Sequence, residues 1–204
     1  MSTLDDRRLL EALYLPPADE FVVVDVPDLQ VVMIDGDGGP DSEAFAPAMR
    51  WLFSVIYPIK RIAKERMGKS FVEPPLECLW WADDMNDFIA GNREKLRWRL
   101  MIVTADWVDK EMFDKATTTA SERLGEPPSS LRLERFTEGT CAQIMHLGPN
   151  SEEPATLARL HNEFLPELHL VANGHHHEIY LNDPKRVAPE KLKTVLCQPV
   201  APVA

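Results

Sequence analysis

The side chains best suited to chemistry stand together in residues 176–181, His-His-Glu-Ile-Tyr-Leu. Because successive side chains of a strand point to opposite faces, His176, Glu178 and Tyr180 would share one face. If the other face is core, Glu178 points into a cleft, where it could act as a general base with Tyr180 beside it. It could equally be a counter-charge for a cationic ligand. The alternative is that Glu178 is a solvated residue of an edge strand.

Tryptophans form the second group of candidates. Trp80 and Trp81 are adjacent in an apolar run, so strand alternation sends them to opposite faces and only one of them can line a cleft. Trp98 could line the same cleft from the next strand. Indole faces hold cations and electron-poor rings, which suits flat or cationic ligands. The alternative for each tryptophan is core packing.

Three consecutive histidines raise the possibility of a metal site, because His175 and His177 share a face at a spacing seen in such sites. No second cluster of ligand residues in the sequence supports that site. The G-x-S-x-G, P-loop and G-x-G-x-x-G motifs are also missing from the sequence. We therefore predict no metal and no cofactor.

A duplicated unit positions these residues. The segment GPDSE at residues 39–43 returns as GPNSE at residues 148–152, and each copy follows an apolar run and opens a stretch with helical spacing. We predict an α+β fold of duplicated strand-helix-strand-strand units with pseudo-twofold symmetry and mostly antiparallel sheet. Such units would leave a cleft at their shared axis. The predicted single domain, 1–204, has one half at about 21–105, a connecting helix and linker at about 106–130, and a second half at about 131–200.

Residue patterns predict the individual elements. Residues 1–18 read as a charged lead-in, and residues 21–26 and 30–35 as a strand pair joined by a turn. Apolar residues at steps of three and four predict a helix from Ser42 to Gly68, with Pro58 expected to kink or break it. Further strands are predicted at 76–82, 97–105, 131–136, 141–147, 175–181 and 194–199, and further helices at 107–124 and 152–168.

Charge and composition restrict the partners. A net charge of −11 and a pI near 5.0 argue against direct nucleic-acid binding, which needs clustered Lys and Arg. The three cysteines are scattered in apolar runs, as expected for reduced core residues. No secretory signal and no apolar run of membrane-spanning length is present in the sequence. We therefore expect a cytoplasmic protein without membrane partners.

Four segments carry a resemblance to a known family: residues 33–36 (MIDG), 141–149 (CAQIMHLGP), 176–184 (HHEIYLNDP) and 188–194 (APEKLKT). With these segments the sequence resembles the GyrI-like small-molecule-binding family, and most closely its stand-alone members, which lack a DNA-binding domain. The resemblance covers almost the whole chain from about Phe21.

The resemblance implies a pseudo-twofold α+β fold whose central cleft binds bulky, flat, often cationic compounds around a buried acid, for which Glu178 is the matching position. Some stand-alone members are cyclopropanoid cyclopropyl hydrolases, which add water to the strained ring of DNA-alkylating natural products. Glu178 would then activate water, Tyr180 and the tryptophans would hold the fused aromatic substrate, and His146 and His176 are further ligand-binding candidates. A non-catalytic drug-sequestering protein is the alternative. A protein that protects gyrase by association is a third, weaker one.

Overall fold

The computed structural model describes residues 2–72, 74–84 and 92–203. It divides into two compact units: unit 1 comprises Met1–Asp5 with Leu29–Phe136, and unit 2 comprises Asp6–Asp28 with Thr137–Ala204. In chain order the strands are β1 (Val22–Val26), β2 (Leu29–Asp37), β3 (Leu76–Ala82), β4 (Leu96–Thr104), β5 (Arg132–Phe136), β6 (Gly139–Leu147), β7 (Leu170–Ala172), β8 (His176–Tyr180) and β9 (Lys193–Pro202). The helices are α1 (Arg7–Tyr14), α2 (Phe45–Met67), α3 (Lys110–Leu124), α4 (Glu153–Arg159) and α5 (Leu165–Glu167).

Unit 1 is an antiparallel sheet in the order β5-β2-β4-β3, covered by helices. Helix α2 packs on β2 and β4, and α3 packs on α2. The apolar stripe of α2 is buried at steps of three and four, including Leu52, Val55, Ile59 and Ala63, as the periodicity predicts. Gly68 ends the helix in the left-handed conformation that favours glycine. The helix continues through Pro58, so of the predicted kink or break the break is absent.

Unit 2 has the same connectivity with a shorter and less regular helix. Its antiparallel strands follow the order β1-β6-β9-β8, and the short β7 pairs with the end of β9. Helices α4 and α5 are joined by a π-helical turn at Leu160–Phe164, so the predicted helix at 152–168 is present but interrupted. Its apolar residues pack on the sheet in a cluster with Ala142 and Val200.

The fold class is confirmed: the protein is α+β, and the strand pairs described above are antiparallel in both units. The order strand, helix, strand, strand occurs as β2-α2-β3-β4 in unit 1 and as β6, α4–α5, β8, β9 in unit 2. In addition, β5 pairs with β2 in unit 1, and β1 pairs with β6 in unit 2.

Two sequence predictions about the fold are wrong. Strands β1 and β2 do not form the predicted pair, because β1 pairs with β6 while β2 pairs with β4 and β5. The predicted lead-in contains α1, whose N-terminus is capped by the Asp6 carboxylate. The amide of Gln143 on β6 also donates to the carbonyl of Ala12 in this helix.

None of the helices described in residues 2–72, 74–84 and 92–203 is long and apolar enough to cross a membrane.

Candidate functional site

The predicted acid lies on β8 in a nearly buried, hydrogen-bonded position. The Glu178 side chain is 12% exposed. The Tyr180 hydroxyl donates a hydrogen bond to Glu178 Oε2 over 2.6 Å. Nε2 of His176 lies 3.5 Å from Glu178 Oε1, with the imidazole itself buried. Of the three residues that strand alternation places on one face, His176 and Tyr180 therefore both contact the Glu178 carboxylate.

This face of β8 is on the side of the sheet that the helical segment from α4 to α5 covers. Glu178 is directly opposite Leu196 on β9, and Leu196 is opposite Ile144 on β6. Directly paired residues lie on the same face of a sheet, and Ala142 lies two residues before Ile144. Ala142 packs against Leu160 and its neighbours from the helical segment. Glu178 therefore points to the helix side of its own unit.

A second acid on the helix completes the site, and the sequence analysis missed it. Glu153 is the first residue of α4 and is only 5% exposed. Its Oε1 atom is buried and has no hydrogen-bond partner in the part of the chain that the structure describes. Burial, and then the negative charge of Glu178, raise the pKa of Glu153 to about 9. Glu153 is thus a neutral carboxylic acid near pH 7.

The helical spacing contains a signal that could have found Glu153. It precedes Leu157 by four residues and Leu160 by seven, which places it on the stripe that packs against the sheet. An acid on such a stripe must be paired or neutral, because burying an isolated carboxylate is costly. His161 lies on the π-helical turn after this stripe and interacts electrostatically with His176. Partial burial, and then His176, lower the pKa of His161.

The opposite face of β8 is core. Ile179 packs with Met145, Val195 and Cys197, and Tyr14 of α1 covers this cluster. His177 on the same face contacts the Glu138 carboxylate at 3.0 Å, with both side chains buried. Among residues 2–72, 74–84 and 92–203, no group of three or more His, Cys, Asp or Glu side chains is arranged to hold a metal ion.

The three candidate tryptophans belong to unit 1, and two of them, Trp80 and Trp98, are packed in its interior. Trp80 on β3 is opposite Trp98 on β4, and both are buried. Phe45, the first residue of α2, stacks on Trp80 at 5.4 Å and meets Trp98 edge-on at 5.2 Å. Trp81 lies on the other face of β3 and is half-buried. The predicted meeting of these indoles with Glu178 in one cleft stays a prediction.

His146 lines a cavity on the helix side of unit 2. The cavity has a volume of about 660 Å³ and lies between the end of β6 and the start of α4, with Thr156 and Arg159 also in its wall. The His146 ring lies 3.3 Å from the Pro149 carbonyl oxygen and 3.5 Å from the Thr156 hydroxyl. Through Thr194 of β9, His146 is in the same cross-strand row as Tyr180, about 10 Å away at two strand spacings. Glu178, Tyr180 and His176 do not line this cavity.

Comparison with known proteins places the fold in a family. Residues 19–201 match the model of the GyrI-like small molecule binding domain. A solved structure of an uncharacterized conserved protein from Listeria innocua is 35% identical, with a TM-score of 0.84 over 96% of this chain and 98% of that one.

Two further solved structures from Listeria innocua are hydrolases. One is 34% identical, with a TM-score of 0.80 over 94% of this chain and 96% of that one. The other is 33% identical, with a TM-score of 0.82 over 96% of this chain and 98% of that one. No curated protein matches. The family model covers nearly all of the chain, and with it both units and the residues around Glu178, so the protein belongs to the GyrI-like small-molecule-binding domain family.

Proposed function

We propose that the protein is a hydrolase that opens the strained cyclopropane of bulky, flat, DNA-alkylating natural products, with Glu178 activating the attacking water. The single observation that carries the proposal is the nearly buried Glu178 carboxylate held by the Tyr180 hydroxyl. The resemblance to cyclopropanoid cyclopropyl hydrolases and the likeness to two Listeria innocua hydrolases support it.

The contacts of Glu178 suit a general base. Tyr180 occupies Oε2 and orients the carboxyl group, while Oε1 lies towards His176. A water held at Oε1 could pass a proton to the carboxylate as its oxygen attacks the ring carbon. Proton transfer of this kind contributes about 10²–10⁴-fold to a rate.

Aromatic side chains would hold the flat part of the substrate. Among the three candidate tryptophans, Trp81 is half-buried, whereas Trp80 and Trp98 are buried against Phe45. We therefore assign stacking to Trp81 first. The other two tryptophans would support the surface from within unit 1.

Binding without turnover is the second candidate function. A buried carboxylate attracts cations, and indole faces add cation–π attraction, so the same residues would suit a protein that sequesters cationic aromatic drugs. The membership in a small-molecule-binding family supports this function equally.

Product analysis separates the two functions. A cyclopropane-bearing alkylator is incubated with a catalytic amount of protein, and ring-opened product is counted by chromatography. We expect many equivalents from the wild type, and a fall of about 10²–10⁴-fold in turnover for Glu178→Gln, with binding of a neutral substrate retained. Glu163→Gln, an exposed acid on the π-helical turn, is the matched control and should behave as wild type.

A yield of no more than one equivalent from the wild type would rule out the hydrolase. If Glu178→Gln then weakens cationic ligands and leaves neutral polycycles unchanged, the protein is a binder with Glu178 as counter-charge. Unchanged turnover and unchanged cation affinity in this variant would remove Glu178 from the site altogether.

A further inference from the structure

Ring opening needs an acid as well as a base. When water attacks a cyclopropane carbon, a C–C bond breaks and its electron pair must be accommodated elsewhere. A carbonyl conjugated to the ring can accept that pair on its oxygen, and a proton donor there stabilises the charge as it develops. Glu178 has the role of base in the proposed reaction, so the donor must be a different group.

We propose that Glu153 is this donor: it gives its proton to the carbonyl oxygen of a substrate in which the cyclopropane is conjugated to a carbonyl. The inference rests on the proposed function and adds a second catalytic residue to it.

The position of Glu153 supports a donor role. Its side chain is buried, and one carboxyl oxygen has no hydrogen-bond partner among the described residues, which leaves that atom available to a ligand. A buried polar atom is normally paired, so an orphan of this kind indicates a partner that arrives with the ligand. The negative charge of Glu178 contributes to the raised pKa of Glu153, which supports placing the two carboxyl groups in one site.

The contacts of the two acids differ. The Glu178 carboxylate on β8 accepts a hydrogen bond from Tyr180, and its Oε1 atom lies 3.5 Å from His176 Nε2. Glu153 has a buried Oε1 atom without a hydrogen-bond partner among the described residues, and burial and then the charge of Glu178 raise its pKa to about 9. His161, from the π-helical turn, has a lowered pKa because of burial and then His176. A neutral carboxylic acid beside a second carboxyl group can donate a proton while the other accepts one.

The step balances with water alone. A bond forms between the water oxygen and the ring carbon, and the ring C–C bond breaks. Its electron pair moves through the conjugated system to the carbonyl oxygen, which takes the proton from Glu153. The proton from water goes to Glu178. Transfer of one proton from Glu178 to Glu153 through solvent restores both groups.

The experiment combines a pH–rate profile with infrared spectroscopy. Substrate is a cyclopropane conjugated to a carbonyl, and turnover is followed from pH 5 to 10 for the wild type, Glu153→Gln and the control Glu163→Gln. We expect the wild-type rate to fall as pH rises through about 9, where Glu153 loses its proton. Glu153→Gln should lose about 10²-fold in kcat together with this alkaline limb, because an amide cannot transfer a proton. The infrared spectrum of the wild type at pH 7 should contain a neutral carboxylic acid band that is absent from Glu153→Gln.

Each result has a distinct meaning. Full kcat and an unchanged alkaline limb in Glu153→Gln overturn the inference and leave the hydrolase intact. Absence of the neutral acid band from the wild type overturns it as well, whatever the variant does. A wild type without turnover refutes the proposed function itself, and the donor role with it.

Discussion

The two units share a strand order, yet they fill the space beneath the first helical residue in opposite ways. In unit 1 that residue is Phe45, which packs on the buried indoles of Trp80 and Trp98. In unit 2 it is Glu153, a buried acid that interacts with Glu178. One unit therefore has a closed aromatic core where the other has a pair of carboxyl groups.

Hydrogen bonds establish which residues correspond. The amide of Gly38 donates to the carbonyl of Leu96, and the amide of Gly148 donates to that of Leu192. Both glycines have positive φ values, of 92° and 128°. Gly38, and not Gly39 of the repeated motif, is thus the counterpart of Gly148, and Gly39 is an extra residue in unit 1.

Counting back from these glycines compares the strands directly. The row Gly36–Trp98–Trp80 in unit 1 corresponds to His146–Thr194–Tyr180 in unit 2. A Cβ atom on Gly36 would lie 2.2 Å from the Trp98 ring, so the large indole requires glycine beside it. In unit 2 the small Thr194 leaves room for the His146 side chain.

The next row carries the chemical difference. Cys78 of unit 1 is fully buried, and its counterpart by the same register is Glu178. Aromatic and apolar contacts stabilise unit 1 at this level, whereas unit 2 keeps acids there at a cost in free energy of folding. A buried acid with a raised pKa, such as Glu153, is characteristic of functional sites.

Truncating the indoles should give the largest change in stability. We expect Trp98→Ala and Trp80→Ala each to lower the free energy of unfolding by about 3–5 kcal/mol, because each leaves a cavity in a packed core. Trp81→Ala, at a half-buried position, should cost about 1 kcal/mol. Urea denaturation measures all three. Equal losses from Trp80→Ala and Trp81→Ala would contradict the assignment of Trp80 to the core and Trp81 to the accessible face.

Replacing Glu153 on α4 should raise the free energy of unfolding rather than lower it. The pKa of Glu153 rises from its ordinary value of 4.5 to about 9 on folding, so between these values the folded protein holds more protons than the unfolded chain. Wild-type stability should therefore fall as pH rises through this window. Glu153→Gln removes that dependence and should be more stable by up to about 3 kcal/mol at pH 7.

Thermal or urea unfolding at pH 4.5, 7 and 9 checks the Glu153 prediction. The advantage of Glu153→Gln should be small at pH 4.5 and grow towards pH 9. A variant less stable than wild type at every pH would show that Glu153 contributes to packing in unit 2 as Phe45 does in unit 1.

Removing the Tyr180 hydroxyl should change stability less than the substitutions at Trp80, Trp98 and Glu153. Tyr180→Phe keeps the ring but deletes a hydrogen bond to a carboxylate, which we expect to cost about 1.5 kcal/mol. In the Glu178→Gln background the same change should cost less, because the accepting group is no longer charged. The double-mutant cycle measures this coupling. Additive losses would show that Tyr180 does not stabilise the charged form of Glu178.

Particular elements show which parts of the fold could be predicted from the sequence. Strand β3 has the predicted bounds, and the apolar stripe of α2 and its end at Gly68 follow the pattern of apolar residues. The strands that pair with β1 and β5 could not be predicted from the same patterns. The hydrogen bonds between strands join backbone groups, which every sequence has, and these two strands pair with segments far along the chain.

What the sequence by itself determined is local: the duplication, the periods of the helices and strands, and the grouping of Glu178, Tyr180 and His176 on one strand face. Those follow from the alternation of strands and the 3.6-residue turn of helices, which depend only on neighbouring residues. The tertiary structure decided that Trp80 is core and that Glu153 is buried near Glu178. Burial and pKa depend on residues brought together from distant segments. The raised pKa of Glu153 therefore follows from the packing of α4 on its sheet and not from the local sequence.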